Sequence, residues 1–218
     1  MPQFDFPYLR RYNTLRLLGH DYSSTWQFCA VTLVTDLRRP LFADVNLAKS
    51  VLRVLLSDWT LANLRLRAFT LMPDHLHLIA AVGRPEKELP KLIGSFKGYT
   101  TQQYWKRSRE IVETGQVMLP SSCVSRSTRE ELRPLLDALF DWRVKLKPEV
   151  VALKNWPKLR PDHFLKKRLW QKRFFDHVIR NEADLRENLD YIQMNPVLAG
   201  YVDHPRFYPY TGFLVVEG

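Results

Sequence analysis

The most constraining feature of this sequence is a pair of histidines inside an apolar run that follows a proline–aspartate pair. The run is Phe69-Thr70-Leu71-Met72-Pro73-Asp74-His75-Leu76-His77-Leu78-Ile79-Ala80-Ala81. In a β-strand, side chains two positions apart lie on one face, and the side chain between them lies on the other. We therefore expect His75 and His77 to present two imidazoles side by side, with Leu76 in a core. Two imidazoles can bind a metal, but a complete site needs further ligands.

The composition favours a folded protein with an anionic partner. The chain has 218 residues, of which 45% are hydrophobic and 12% aromatic, and its formal net charge is +10. Such a charge favours nucleic acid first and an acidic membrane second. No apolar run approaches the roughly 20 residues that span a membrane, and the two cysteines, Cys29 and Cys123, are far apart. We expect a cytoplasmic protein without a signal peptide, a disulfide framework or a membrane partner.

The first half of the chain alternates strand and helix patterns. Trp26–Thr35 is rich in β-branched and aromatic residues and is predicted as a strand. Apolar residues at helical spacing predict one helix over about residues 46–59 and a second over about residues 86–105. Between them, two apolar runs flank Met72-Pro73-Asp74, which predicts a hairpin.

The second half contains an insertion and one further strand and helix. Residues 107–165 are interrupted by prolines and contain a predicted helix over about residues 128–145. Leu169–His177 is predicted as a strand that enters a turn. Asn181 is the predicted N-cap of the last helix, which we expect to stop before Pro196 because residues that precede proline avoid the helical region.

This order of elements predicts an α+β fold of the ferredoxin-like, split βαβ type. We expect a four-stranded antiparallel sheet with two helices on one face and an extra C-terminal helix. The chain is interpreted as one domain, residues 1–218. Its core comprises about residues 26–106 and 166–202, with the insertion at 107–165 and a tail at 203–218.

The last helix offers groups that could complete the histidine site. Tyr191 and Asn195 are four residues apart and share a helical face, while Ile192 faces the core. If this face approaches the histidines, Asn195 could add an oxygen ligand. A mixed nitrogen and oxygen site with open positions suits Mg²⁺ or Mn²⁺ bound together with a phosphate.

Three blocks of sequence resemble the HUH-type single-tyrosine transposases, and among them the REP-associated tyrosine transposases. The first block is the histidine–hydrophobic–histidine motif at His75-Leu76-His77. The other two are Trp170-Gln171-Lys172-Arg173-Phe174-Phe175-Asp176-His177 and Asp190-Tyr191-Ile192-Gln193-Met194-Asn195-Pro196. A single His-x-His is weak evidence, but the three blocks in this order are a specific signal.

The resemblance implies cleavage and rejoining of single-stranded DNA. Tyr191 would be the nucleophile that forms a 5′-phosphotyrosine link, and His75, His77 and Asn195 would hold Mg²⁺ or Mn²⁺. The implied partners are single-stranded DNA and DNA hairpins formed by palindromic repeats, with the protein at the nucleoid when bound, as a monomer or homodimer. Five basic residues are candidate phosphate contacts: Lys166, Lys167, Arg168, Lys172 and Arg173.

Some alternatives stay open at this point. Tyr99 and Tyr104 are rival nucleophiles, and Asp176 and His177 are either auxiliary ligands or turn residues. A histidine-triad hydrolase would need a third histidine where Ile79 stands. The alternative from another functional class is a catalytically idle protein of the same fold that binds DNA hairpins, with bases stacked on sheet aromatics such as Trp26 or Phe28.

Overall fold

A five-stranded antiparallel sheet with helices on both faces forms the protein, as seen in a computed structural model that describes residues 20–119 and 153–214. The strands are β1 (Cys29–Val34), β2 (Leu64–Met72), β3 (His75–Val82), β4 (Phe175–Val178) and β5 (Thr211–Phe213). The helices are α1 (Val45–Leu55), α2 (Asp58–Asn63), α3 (Leu89–Thr114) and α4 (Glu182–Leu198). Short 3₁₀ turns lie at Asp36–Arg38, Leu41–Ala43, Pro161–Phe164 and Pro205–Phe207.

The strand order is β4-β1-β3-β2-β5, and its first four members have the split βαβ arrangement. The predicted α+β, ferredoxin-like class is confirmed. The sheet has one more strand than predicted, because β5 adds to the edge of β2 from the segment interpreted as a tail. Aromatic residues hold this segment in place: Tyr208 donates a hydrogen bond from its hydroxyl to the Leu71 carbonyl at 2.8 Å, and the Leu71 N–H donates to the Tyr210 carbonyl at 2.9 Å.

The large core lies between the sheet and helices α1 and α3. Leu76 and Leu78 of β3 belong to it, as do Leu47, Val51 and Leu55 of α1. These three helical residues recur at intervals of four, so they form one stripe that faces the sheet. The opposite face of the sheet is covered by α4, which contacts β2 and β3. The histidines and the core leucines of β3 therefore lie on opposite faces, as the strand period requires.

Helix α3 is longer than predicted. It continues from Trp105 to Thr114, through residues assigned to the insertion, and ends at Gly115, which adopts a left-handed conformation with φ 68°. Ile111 extends the buried face about two turns beyond Tyr104, and this burial stabilises the extra turns. Leu159 and Phe164, also assigned to the insertion, are buried in the main core. The helix predicted over residues 128–145 lies outside the described residues.

Two predicted boundaries in the second half were wrong. Helix α4 does not stop before Pro196 but runs through it to Leu198. Ala199 is its C-cap, and the next residue, Gly200, has a positive φ of 72°. Asn195 and Pro196 are both buried, so packing outweighs the local preference against helix before proline. Within the predicted strand Leu169–His177, only the part from Phe175 onward pairs regularly with β1. Trp170 makes an isolated bridge to Thr35 instead.

No helix among the described residues is both long enough and apolar enough to cross a membrane.

A buried ion pair joins the extended part of α3 to the start of α1. The Asp44 carboxylate is fully buried, caps α1 by accepting from the Leu47 N–H at 2.8 Å, and also accepts from the Met118 N–H at 2.8 Å. Arg107 donates to both of its oxygens, at 3.0 and 2.9 Å. Such a bidentate pair satisfies a carboxylate that has no access to water.

We expect Arg107→Met to destabilise the fold by about 3–5 kcal/mol, because it leaves the Asp44 carboxylate buried without its counter-ion. Urea denaturation followed by circular dichroism measures this loss. The matched control is Arg109→Met, since Arg109 is exposed on the same helix, and it should change the free energy of unfolding by less than about 0.5 kcal/mol. Equal stability of the two variants would contradict this account of the Asp44 contact.

Candidate functional site

A cavity of about 330 Å³ lies between α4 and the face of the sheet that carries the histidines. His75, His77, Tyr191 and Asn195 all line it. The structure thus brings together the four residues that the sequence predicted to form a site, from a strand and a helix more than a hundred residues apart in the chain. All four belong to one chain, so α4 packs on its own sheet.

The two imidazoles are adjacent and each is oriented by a hydrogen bond at Nδ1. Their ring centroids are 4.6 Å apart. Nδ1 of His75 lies 2.5 Å from Oδ1 of Asp74, and Nδ1 of His77 lies 2.7 Å from Oγ1 of Thr32. A polar partner at one ring nitrogen holds the ring in place and aims the other nitrogen, which is how metal-binding histidines are supported.

The second nitrogen of His77 is unsatisfied. Its Nε2 is buried and has no hydrogen-bond partner. Among the described residues, only one other buried side-chain nitrogen or oxygen is in this situation. Burial, followed by the positive charges of His75 and Arg38, holds the pKa of His77 well below its usual range. His77 is therefore neutral near pH 7, and in the tautomer whose Nδ1–H donates to Thr32 Oγ1 its Nε2 has a lone pair available for a cation.

Tyr191 lies beside His77, with ring centroids 5.2 Å apart. Burial raises the pKa of its phenol, against the opposing effects of a hydrogen bond with the Asn195 side chain and of the Arg38 charge. The helix is fixed in this position by Ile192, which is buried with Ala68 and Ile79 in a small apolar cluster. Since Ile192 follows Tyr191 directly, its docking sets the rotation that turns the phenol and Asn195 toward the histidines.

The donor set fits a divalent cation with a mixed nitrogen and oxygen shell. His75 and His77 could supply nitrogens, and Asn195, which is 8% exposed, could supply a carboxamide oxygen. No group of three or more His, Cys, Asp or Glu side chains within residues 20–119 and 153–214 is arranged to hold a metal ion. Asn195 offers an oxygen donor of another type beside the histidine pair.

Sequence reasoning missed one member of the site, Arg38. It lies in the turn after β1 and lines the cavity, and its guanidinium approaches Oδ2 of Asp74 to 3.5 Å. Leu37 and Arg38 both have positive φ, 59° and 51°. Two consecutive non-glycine residues in this region are strained, and such strain is concentrated at functional sites. The sequence offers little signal for this residue, because nothing in Asp36-Leu37-Arg38-Arg39 shows which arginine faces the cavity.

The neighbouring Arg39 has the opposite environment and acts as a clamp. It is 8% exposed, and its guanidinium donates to the carbonyls of Asp36 at 2.9 Å and His163 at 2.6 Å and to the carbonyl of Arg168. It also donates to the Tyr104 hydroxyl at 3.2 Å. These bonds hold the strained turn against the segment that precedes β4, so the position of Arg38 depends on them.

The five basic residues predicted to contact phosphate are all exposed and do not line the cavity. Their segment is held through its backbone: the Tyr104 hydroxyl donates to the Lys166 carbonyl at 2.6 Å, and Trp105 Nε1 donates to the Lys167 carbonyl at 2.8 Å. Contact between these five residues and DNA stays a prediction. The residues are Lys166, Lys167, Arg168, Lys172 and Arg173.

Of the alternative residues, Tyr99 and Tyr104 do not line the cavity, whereas Asp176 and His177 line it but contact other side chains. Tyr104 is fully buried in the large core, and Tyr99 packs edge-on against Trp59 with ring centroids 5.3 Å apart. Nε2 of His177 contacts both Asp184 oxygens, at 2.8 and 2.9 Å, and Asp176 accepts from the Tyr22 hydroxyl at 2.5 Å. His177 and Asp184 therefore join β4 to the first turn of α4, which is a positioning role.

The chain is similar to known transposases in part of its sequence and in its fold. Residues 27–128 match the family described as "Transposase IS200 like", a stretch that includes both histidines and ends before Tyr191. The structure resembles that of a REP-associated tyrosine transposase bound to a REP hairpin, with a TM-score of 0.51 and 16% identity over 90% of this chain and 82% of that chain. At this identity the likeness shows a shared fold.

A second similar structure is that of a candidate transposase from Deinococcus radiodurans R1, with 17% identity over 57% of this chain and 97% of that chain and a TM-score of 0.32. No curated protein matches the sequence. The first of the three sequence blocks thus lies within the residues that match the family, and the fold shared with the REP-associated tyrosine transposase spans most of the chain.

Proposed function

We propose that this chain, whose residues 27–128 match the IS200-like transposase family, cleaves and rejoins single-stranded DNA through a covalent link to Tyr191. The observation that carries the proposal is the placement of the Tyr191 phenol against His77, whose buried Nε2 is unpaired, in a cavity that also holds His75 and Asn195. A buried imidazole with an unused lone pair is costly unless a ligand uses it. A phenol beside it is suitably placed to attack a group bound there.

His75, His77 and Asn195 are the proposed ligands of Mg²⁺ or Mn²⁺. The cation would neutralise charge on a non-bridging phosphate oxygen. Asp74 and Thr32 orient the two imidazoles, and Asn195 has a second role because its side chain also bonds to the nucleophile. Arg38, which lies in the turn after β1 and lines the cavity, adds a fixed positive charge for the phosphate.

In the proposed step, Tyr191 Oη forms a bond to phosphorus while the bond from phosphorus to the 3′ oxygen breaks. The phenol gives up its proton, and the departing 3′ oxygen takes one up, which leaves a free 3′-hydroxyl and a 5′-phosphotyrosine. Rejoining is the reverse reaction with another 3′-hydroxyl. The phosphotyrosine conserves the energy of the cleaved bond, so no external energy source is needed.

A DNA hairpin is the proposed substrate. The fold neighbour described as a REP-associated tyrosine transposase is bound to a REP hairpin, and the net charge of +10 suits a polyanionic ligand. The exposed basic segment at residues 166–173 would contact the hairpin backbone. A protein that only binds hairpins is the alternative, and a covalent-adduct assay separates the two.

With Mg²⁺ or Mn²⁺ and single-stranded hairpin DNA, the wild-type protein should form a covalent adduct that survives denaturation. Tyr191→Phe should form none, because it lacks the attacking oxygen. His75→Ala and His77→Ala should each slow adduct formation on the order of a hundred-fold or more, with hairpin binding retained. Denaturing gel electrophoresis with labelled DNA measures the adduct, and gel shift measures binding.

The matched control is Tyr99→Phe, since Tyr99 is a half-exposed tyrosine away from the cavity, and it should form adduct at the wild-type rate. Adduct formed by Tyr191→Phe would reject the nucleophile. Hairpin binding without any adduct from the wild-type protein, at any cation tested, would favour the binding-only alternative.

We further expect catalysis within one chain, because α4 lies on its own sheet and its tyrosine reaches its own histidines. A mixture of His77→Ala and Tyr191→Phe proteins should therefore form no more adduct than the more active of the two alone. Restored adduct formation would show instead that the helix of one subunit serves the sheet of another. Each variant at the same total concentration provides the baseline.

Arg38→Gln should reduce the rate of adduct formation by about ten- to a hundred-fold, the expected loss of one charged hydrogen bond in the transition state. The control is Arg84→Gln, since Arg84 is a basic residue on the loop after β3 and does not line the cavity. Single-turnover kinetics at saturating DNA measures the effect. An unchanged rate for Arg38→Gln would remove this residue from the mechanism.

A further inference from the structure

We propose that an aromatic–arginine patch formed by Trp26, Phe28, Arg65 and Arg67 binds unpaired nucleotides of the DNA strand whose phosphate enters the cavity. The inference rests on the proposed function for the identity of that strand. It extends that function by assigning a second binding surface, for bases and phosphates away from the cleaved bond.

The patch lies on the same face of the sheet as the histidines. Arg65 pairs with Ala81 in the ladder between β2 and β3, and Ala81 is on the face of His75, His77 and Ile79 because the strand alternates. A register shift between Leu66 and Ala68 makes Arg67 a bulge residue. A bulge places two consecutive residues on one face, so Arg67 joins Ala68 on the side of α4.

The aromatic and basic groups of the patch interleave. The Arg65 guanidinium carbon lies 5.2 Å from the centroid of the Trp26 ring and 5.5 Å from that of Phe28. The Arg67 guanidinium carbon lies 5.3 Å from the Phe28 centroid. Trp26 is nonetheless 81% exposed. A large indole held beside a cation but exposed to solvent is a ready stacking surface for a base.

The charges of the patch are not neutralised by carboxylates. None of the ion pairs between described residues involves Arg65 or Arg67. Nε of Arg67 is buried without a hydrogen-bond partner, and the only other such atom among the described residues is Nε2 of His77. The two unsatisfied nitrogens thus lie on one face of one sheet, one at the proposed reaction centre and one in the patch.

Strand β1 and the residues before it run from the cavity to the patch. Ala30 of β1 lines the cavity, and Phe28 and then Trp26 are the next residues along the chain at alternate positions. His75 and Ala81 are six positions apart on β3, which corresponds to about 20 Å at roughly 3.3 Å per residue. Since an unpaired strand can extend beyond the roughly 3.4 Å per nucleotide of a duplex, no more than about six nucleotides are needed to span this distance.

The chemistry of the patch favours nucleic acid over a protein partner. Exposed aromatic rings interleaved with arginines bind single strands by stacking and by phosphate contact, with little dependence on base sequence. An apolar protein partner would instead leave two guanidinium groups without counter-ions, which is unfavourable when they are desolvated. The excess of positive charge over the whole chain acts in the same direction.

The test is the binding of fluorescein-labelled oligothymidylates of increasing length to the full chain, measured by anisotropy without added divalent cation. Wild-type affinity should rise with length up to about six nucleotides. Trp26→Ala should weaken binding of the longer oligomers by about five- to a hundred-fold, the loss of one stacked base. Trp26→Phe should restore most of it, because the phenyl ring also stacks.

Salt dependence tests the charged part of the patch. The slope of log affinity against log salt is negative, and Arg65→Gln should make it less steep by about 0.7, the value for one phosphate contact with a single strand. Trp59→Ala is the matched control. Trp59 is also an exposed tryptophan, at 42%, but it lies in α2 and packs beside Tyr99 of α3, away from the patch. This variant should leave both affinity and slope at the wild-type values.

The outcomes for this patch and for the proposed function are separable. Wild-type affinity in Trp26→Ala at every oligomer length would overturn the patch, whether or not Tyr191 forms an adduct with hairpin DNA. A weakened Trp26→Ala protein, in a chain whose wild type forms no adduct, would support the patch as a nucleic-acid surface and reject the cleavage reaction.

Discussion

The contact of Ile192 with Ala68 and Ile79 is the interaction on which the candidate site depends. These three buried residues are the centre of the small cluster that holds α4 on the sheet. The alanine allows a helix to approach the strands closely, and Ile192 fixes the rotation of that helix. Tyr191 and Asn195 then face the histidines as a geometric consequence of helical spacing. Without this docking, the sheet would carry two histidines and the helix a tyrosine, but no cavity would bring them together.

Strand β3 serves two environments at once. Leu76 and Leu78 belong to the large core below the sheet, while His75 and His77 face the cavity above it. Burying His77 with one nitrogen unpaired costs about 1–3 kcal/mol. The core beneath, with helices α1 and α3, offsets this cost, and it does so on the opposite face, where it does not interfere with the chemistry. The same separation leaves the upper face available for the patch at Trp26.

The turn after β1 connects the site with the rest of the molecule. Arg38 reaches the cavity from a strained backbone, and Arg39 anchors that backbone by donating to carbonyls of Asp36, His163 and Arg168. The hydrogen bonds of Arg39 thus fix the backbone that leaves the Arg38 side chain available for a ligand. Arg39 also bonds to the basic segment at residues 166–173, so a change in the position of this segment would also shift Arg38.

The sequence by itself determined the alternation of β3, the pairing of its two histidines and the helical spacing of Tyr191 and Asn195. Periods of 2.0 and 3.6 residues are local properties, and the order of elements restricts how they assemble into a sheet. Only the tertiary structure decided that α4 continues through Pro196, that α3 extends to Thr114, that a fifth strand forms, and that Arg38 rather than Arg39 faces the cavity. Each of these depends on which side chains are buried by distant parts of the chain, and such burial outweighs preferences that act only between neighbours.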